Sequence, residues 1–290
     1  MACGAVLFAL MGFFARLASA HVSFTLVAAS RAAIGAVVAI GVARIRGARM
    51  RVADRRGIWA RSVFGTVSII CTFYAVGSPA ISLGDSTTLI NLTPVFLTVL
   101  APFLLGERPG KRVVLALPLS AAGVVLILQP AVVFGASNAS LGAAGKLAAA
   151  VAVAGSLSSA FAMIVLRKMG KRESPEAIAI HFSLTAAVIL GLLSLPHLTA
   201  PAARDLAYMA AAGVAAGLAQ LAMTRAYALE QAARVSGIGY LSVVISAMLG
   251  AFGLHEWPDA RALAGMALVI GGGLVVTVAG LRDRKVLTFR

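Results

Sequence analysis

Leu104-Leu105-Gly106-Glu107-Arg108-Pro109 and Leu254-His255-Glu256-Trp257-Pro258 are two copies of one passage, each closing one apolar run and opening the next. A constant offset of 149 pairs Glu107 with Glu256, Pro109 with Pro258, Arg112 with Arg261 and Gly123 with Gly272. In a strongly apolar chain, such a duplication points to two membrane-embedded halves facing each other, a plan many transporters use.

Composition leads the same way. Apolar residues make up 60% of the chain and charged residues 12%, with a mean hydropathy of +0.96. A water-soluble fold of 290 residues has no interior large enough for that much apolar surface. A bilayer instead asks for roughly 20 apolar residues per crossing. Ten such runs stand out, at 2–20, 23–43, 58–78, 81–105, 112–130, 144–166, 175–195, 205–229, 232–254 and 262–281. They are too long for strands and carry Gly and Ala freely, so they read as helices. The opening residues read as a first span, because no basic segment and no cleavage site mark a signal peptide.

A net charge of +15 raises the question of nucleic acid, but the placement of the charges answers it. Most of the basic residues fall in alternate connections. Arg44, Arg46, Arg49, Arg51, Arg55, Arg56 and Arg61 lie between runs two and three, and Arg108, Lys111 and Arg112 between four and five. Arg167, Lys168, Lys171 and Arg172 follow run six, Arg225 and Arg234 flank the junction of runs eight and nine, and Arg282, Arg284, Lys285 and Arg290 end the chain. This is the bias of cytoplasmic loops. Ten spans with both termini in the cytoplasm satisfy it, whereas nine or eleven break it. The partners expected are a lipid bilayer and a small-molecule substrate, with no nucleic acid. The sequence sets no oligomeric state.

The expected fold is therefore an all-α integral membrane protein of ten transmembrane helices in two inverted five-helix repeats. Residues 1–130 form the first repeat, 131–143 a connecting loop, and 144–290 the second. Five is odd, so the second copy enters the bilayer from the opposite face. Asn91 then lies about ten residues into run four, and its counterpart Tyr240 about eight into run nine. At about 1.5 Å per residue, both sit roughly 12–15 Å deep from opposite faces of a ~30 Å core. Substrate sites of inverted-repeat transporters lie at that depth.

Leu92-Thr93-Pro94-Val95-Phe96, Leu104-Leu105-Gly106-Glu107-Arg108 and Ala122-Gly123-Val124-Val125-Leu126 resemble the EamA-type module of the drug/metabolite transporter superfamily. Tyr240-Leu241, Glu256 and Gly271-Gly272-Gly273 are a more degenerate copy. The resemblance spans nearly the whole chain. It implies a ten-helix carrier that moves a small metabolite by alternating access.

Polar side chains are expensive inside a bilayer, so those in the runs are the site candidates. Run four is richest. Asp85, Ser86, Thr87 and Asn91 precede Pro94, and Asn91 falls near one helical stripe with Ser86 or Thr87. They line a cavity, or they back-bond and glue helices together. Pro94 removes a backbone donor and can free a carbonyl towards a cavity. Tyr74 and Tyr240 offer aromatic bodies with polar tips that suit an organic solute. Gln220 and Ser156 serve equally as ligands or as packing groups. Arg31, within run two, either holds a substrate anion or pairs with Asp85. Glu107 and Glu256, at helix ends beside prolines, suit capping, loop fixing or gating. His181 reads as a packed hydrogen-bonding residue or a proton relay.

No metal or cofactor is called for. Cys3 and Cys71 are not spaced as a disulfide or metal framework, and His-Glu-x-x-His is absent. The glycines around Lys111 lack the spacing and the terminal Ser or Thr of a nucleotide-binding loop. The chain is not expected to be an enzyme. The expectation is a bacterial inner-membrane carrier that exports an amino acid or related amphipathic solute. A multidrug or cation exporter and a nucleoside-type carrier are the alternatives, with a membrane scaffold or intramembrane enzyme further off.

Overall fold

The computed structural model describes residues 1–48, 52–78, 80, 89–107, 110–128, 142–170, 173–198, 200–254, 257, 259–272 and 275. Ala, Leu, Val and Ile dominate these segments, and in a dry environment the helix satisfies its own backbone. The described elements are helices. They are α1 (Ala2–Ser19), α2 (Phe24–Ile45), α3 (Arg55–Gly77), α4 (Thr93–Leu105), α5 (Lys111–Leu128), α6 (Ala143–Met169), α7 (Pro175–Ser194), α8 (Ala203–Leu229), α9 (Ala232–Gly239) and α10 (Leu241–Leu254). A short 3-10 turn, Leu195–His197, extends α7, and Ala260–Gly272 forms α11.

Among the described residues seven helices are long and apolar enough to cross a membrane, α9 and α10 counting together as Ala232–Gly253. Three further apolar helices, Thr93–Leu105, Val114–Leu126 and Ala260–Gly272, are counted over their described residues alone, and runs four, five and ten each extend into residues outside that description. In run four, residues 81–88 lie outside the described residues, and α4 begins at Thr93. Val37, Leu115 and Phe252, each about 70% exposed, belong to the apolar outer surface that a bilayer covers.

Local chemistry sets the helix ends. The Asp54 carboxylate accepts the Gly57 N–H at 2.8 Å, and the Ser174 hydroxyl accepts the Ala177 N–H at 3.1 Å just before Pro175. Gly106 closes α4 with φ +66°, a conformation that costs a side-chain-bearing residue steric strain.

Packing repeats between the halves. α1 lies on α8 as α6 lies on α3, and α2 meets α8 as α7 meets α3. Likewise α10 contacts α1 as α4 contacts α6, while α2 packs on α7 and α4 on α9. The paired glycines of the opening motif take equivalent places. A Cβ on Gly123 would lie 2.6 Å from Gly265 O of α11, and one on Gly272 would lie 2.1 Å from Ser120 Oγ of α5. The largest apolar core, with Ile58, Leu97, Leu166, Ile178 and Val235, sits where α3, α4, α6, α7 and α9 converge.

Candidate functional site

The two helix interruptions build the site. Leu89 and Ile90 are helical, Asn91 and Leu92 form a turn, and α4 starts anew at Thr93. Pro94 explains the break. It has no N–H for the Ile90 carbonyl, and its ring crowds that position. The Thr93 hydroxyl takes up part of the loss, lying 3.3 Å from Ile90 O and 3.1 Å from Ser156 O. Pro94 thus stands in the first turn of a new helix, where a missing donor costs nothing, rather than at a kink within one.

The second break falls at Tyr240, between α9 and α10. Its hydroxyl donates to the Asn91 carbonyl at 3.0 Å, joining two positions 149 residues apart, the same offset that relates the two motifs. Asn91, Thr93, Ser159, Tyr227, Ser236 and Tyr240 give polar atoms to a cavity of about 160 Å³ beside this contact. Met163, Met223 and Pro94 supply apolar wall. A cavity of about 150 Å³ is large enough for a benzene-sized molecule. The chemistry is that of an organic solute's pocket, with apolar walls and a few fixed polar groups.

The remaining candidates lie elsewhere. Arg31 and Gln220 share a separate cavity of about 30 Å³ with Phe8, Phe182 and Ser183, room for about one water. Arg31 Nη1 lies 3.1 Å from the Met11 sulfur. Gln220 Nε2 reaches the Thr224 hydroxyl at 3.4 Å. Ser156 is buried and its hydroxyl bonds back to Val153 O at 2.9 Å, so its neighbour Ser159 is the serine at the cavity. Tyr74 is half exposed and lines neither cavity. His181 Nδ1 lies 2.8 Å from Ser62 Oγ, with the ring edge-on to Trp59. Asp85, Ser86, Thr87 and Glu256 lie outside the described residues.

Glu107 organises one end of the bundle. Its Oε1 pairs with Arg167 Nε at 2.5 Å, and its Oε2 accepts the Ala232 N–H at 2.9 Å. Arg167 Nη1 donates onward to the carbonyls of Tyr227 at 3.1 Å and Ala228 at 3.3 Å. One carboxylate and one guanidinium thereby tie together the ends of α4, α6 and α8 and the start of α9. Glu176 pairs with Arg225 nearby, fastening α7 to α8.

Sequence reasoning passed over Tyr227, Ser236 and Arg61. A serine in an Ala-rich run looks like packing, and nothing in the pattern tells which azimuth of the helix it occupies. Arg61 reads as part of the basic loop because Arg55 and Arg56 precede it, yet it lies inside α3 and is 1% exposed. Its place inside the apolar run that begins at Ile58 was the available signal.

The model of the EamA-like transporter family matches residues 1–129 and again residues 146–278. The chain belongs to the EamA-like transporter family. A relative within the drug/metabolite transporter superfamily is the pseudopaline exporter CntI of Pseudomonas aeruginosa, 28% identical over 96% of this chain and 93% of its own. An uncharacterized transporter of Helicobacter pylori is 24% identical over 76% of this chain and 73% of its own. A crystal structure of a protein 19% identical to this EamA-family chain covers 96% of both chains with a TM-score of 0.78, a likeness of fold. This EamA-family chain is thus a multi-pass membrane protein of a family of small-molecule transporters.

Proposed function

We propose that the chain is a secondary transporter that carries a small organic solute across the bacterial inner membrane by alternating access, with export as its direction. On this reading it has ten spans in two inverted five-helix repeats, both termini are cytoplasmic, and the solute is an amino acid or related amphipathic metabolite. The observation that carries the reading is the central cavity, flanked by two helix breaks at repeat-related positions that are bonded to each other through Tyr240 and Asn91. Broken helices at the midplane of paired repeats are how carriers expose backbone polar groups to a solute. The relative named as a pseudopaline exporter supports the outward direction.

Alternating access requires the two ends of the bundle to open in turn. The Glu107–Arg167 network fastens the end that carries the basic loops, so inward opening breaks those bonds. The test is counterflow in proteoliposomes against pooled labelled amino acids, nucleosides and cationic drugs. Saturable counterflow of the amino-acid pool, reduced in Asn91→Ala, is the expected result. Counterflow unchanged in both Asn91→Ala and Tyr240→Ala sinks the proposed site, and its absence for every pool with folded protein counts against the carrier itself.

A further inference from the structure

Gly35 on α2 and Gly217 on α8 bring their helices into backbone contact. A Cβ on Gly217 would lie 3.1 Å from Gly35 Cα. Arg31 stands one turn before Gly35, and Gln220 three residues after Gly217, so the crossing carries both to the small cavity they share. α7 adds Phe182 and Ser183 to its lining. This cavity and the one beside Tyr240 have no lining residue in common.

The polar groups that line it are uncommitted. Arg31 lies about 10 Å from the start of α2, at about 1.5 Å per residue. Its described contact is with the Met11 sulfur at 3.1 Å, a weak acceptor without charge. No described ion pair includes it. Ser183 is 6% exposed, and its hydroxyl makes no described hydrogen bond, whereas Thr185 and Ser194 of the same helix bond back to their own backbone. Gln220 is 7% exposed and spends its amide nitrogen only on the Thr224 hydroxyl, at 3.4 Å.

A charge inside a bilayer is kept where it meets an opposite charge, a backbone carbonyl or water. Arg31, Ser183 and Gln220 can each donate a hydrogen bond, and one of them brings a full positive charge. Such a set calls for a negatively charged acceptor. The volume of about 30 Å³ sets its size, because that space holds about one water. A carboxylate or a phosphate has several heavy atoms and does not fit. A halide ion is a single atom close to water in size.

We propose that this cavity is a binding site for a small inorganic anion, chloride in the cell, held by Arg31, Ser183 and Gln220. The ion supplies the counter-charge of Arg31 where α2, α7 and α8 meet. This inference does not depend on the carrier reading or on which solute is carried.

The test follows unfolding of the full chain in phosphatidylcholine nanodiscs at constant ionic strength, with chloride or bromide exchanged for gluconate. The wild-type midpoint is expected to rise by at least about 2 °C and to saturate, with sulfate ineffective. In Arg31→Gln the rise is lost, and in Ser183→Ala it needs at least about fivefold more halide. Should Arg31→Gln fail to fold, Ser183→Ala and Gln220→Leu carry the same comparison. Crystals grown in bromide are expected to show an anomalous peak among Arg31, Ser183 and Gln220. A midpoint indifferent to halide, an equal rise with sulfate, or an unchanged rise in the variants overturns the proposal, as does a cavity that holds only water in bromide. Asp85, the partner that the sequence suggests for Arg31, is tested as Asp85→Asn. Halide stabilisation that arises only in that variant means that a carboxylate already fills the role, and the proposal fails. Counterflow of organic solutes bears on the carrier reading alone and leaves this result untouched.

Discussion

Tyr240 and Asn91 show how much one hydroxyl can be asked to do. The tyrosine is 2% exposed and the described hydrogen bond of its hydroxyl ends on a backbone carbonyl, not on the asparagine side chain. Tyr240→Phe removes that bond, so it is expected to cost about 0.5–1.5 kcal/mol of stability and to slow counterflow. Asn91→Ala keeps the carbonyl, and with it the Tyr240 bond. Unfolding midpoints of the two variants separate the contact from the side chain, and a Tyr240→Phe midpoint equal to wild type contradicts the role assigned to the hydroxyl. Depth along a helix was legible in the sequence, which is why the offset of 149 brought these two residues to attention. Azimuth was not. Arg31 and Gln220 line a separate small cavity, and Ser159 rather than Ser156 lines the one beside Tyr240.

At the scale of elements, the ends of α4, α6, α8 and α9 meet through Glu107 and Arg167, whose side chains are 15% and 22% exposed. That is buried enough for a charged hydrogen bond to exceed the worth of a surface pair. Glu107→Ala is expected to destabilise by about 1–3 kcal/mol and to loosen this end of the bundle. Glu107→Gln keeps an acceptor for the Ala232 N–H and falls between. With Cys3 and Cys71 replaced, a cysteine introduced at Ala232 and probed with a membrane-impermeant thiol reagent reads the loosening directly. Labelling that does not rise in Glu107→Ala argues against a latch. The sequence disclosed that Glu107 stands at a helix end beside proline. Its partner Arg167 lies sixty residues away, a pairing only the packing of α4 on α6 creates.

For the molecule as a whole, the charge bias and the ten apolar runs made a membrane bundle legible, because hydropathy follows directly from the solvent each residue must meet. The helix breaks were less so. Pro94 was visible, but Tyr240 has no proline beside it, and a run of apolar residues reads as continuous whether or not a turn interrupts it. The proposed orientation, with both termini in the cytoplasm, is tested by fusions: a fluorescent protein at the C-terminus is expected to mature and an alkaline phosphatase at the same point to stay silent. The reverse pattern contradicts the orientation.

If two copies of one module had stayed identical, every contact between them would be made twice, residue i on j and j on i. Here one copy presents a carbonyl at Asn91 and the other reaches it with the phenol of Tyr240. A fused pair can diverge in this way, and a dimer of equal subunits cannot. If the chain is the carrier proposed above, the consequence is that its two sides meet chemically unequal groups, a phenol on one copy and a carbonyl on the other.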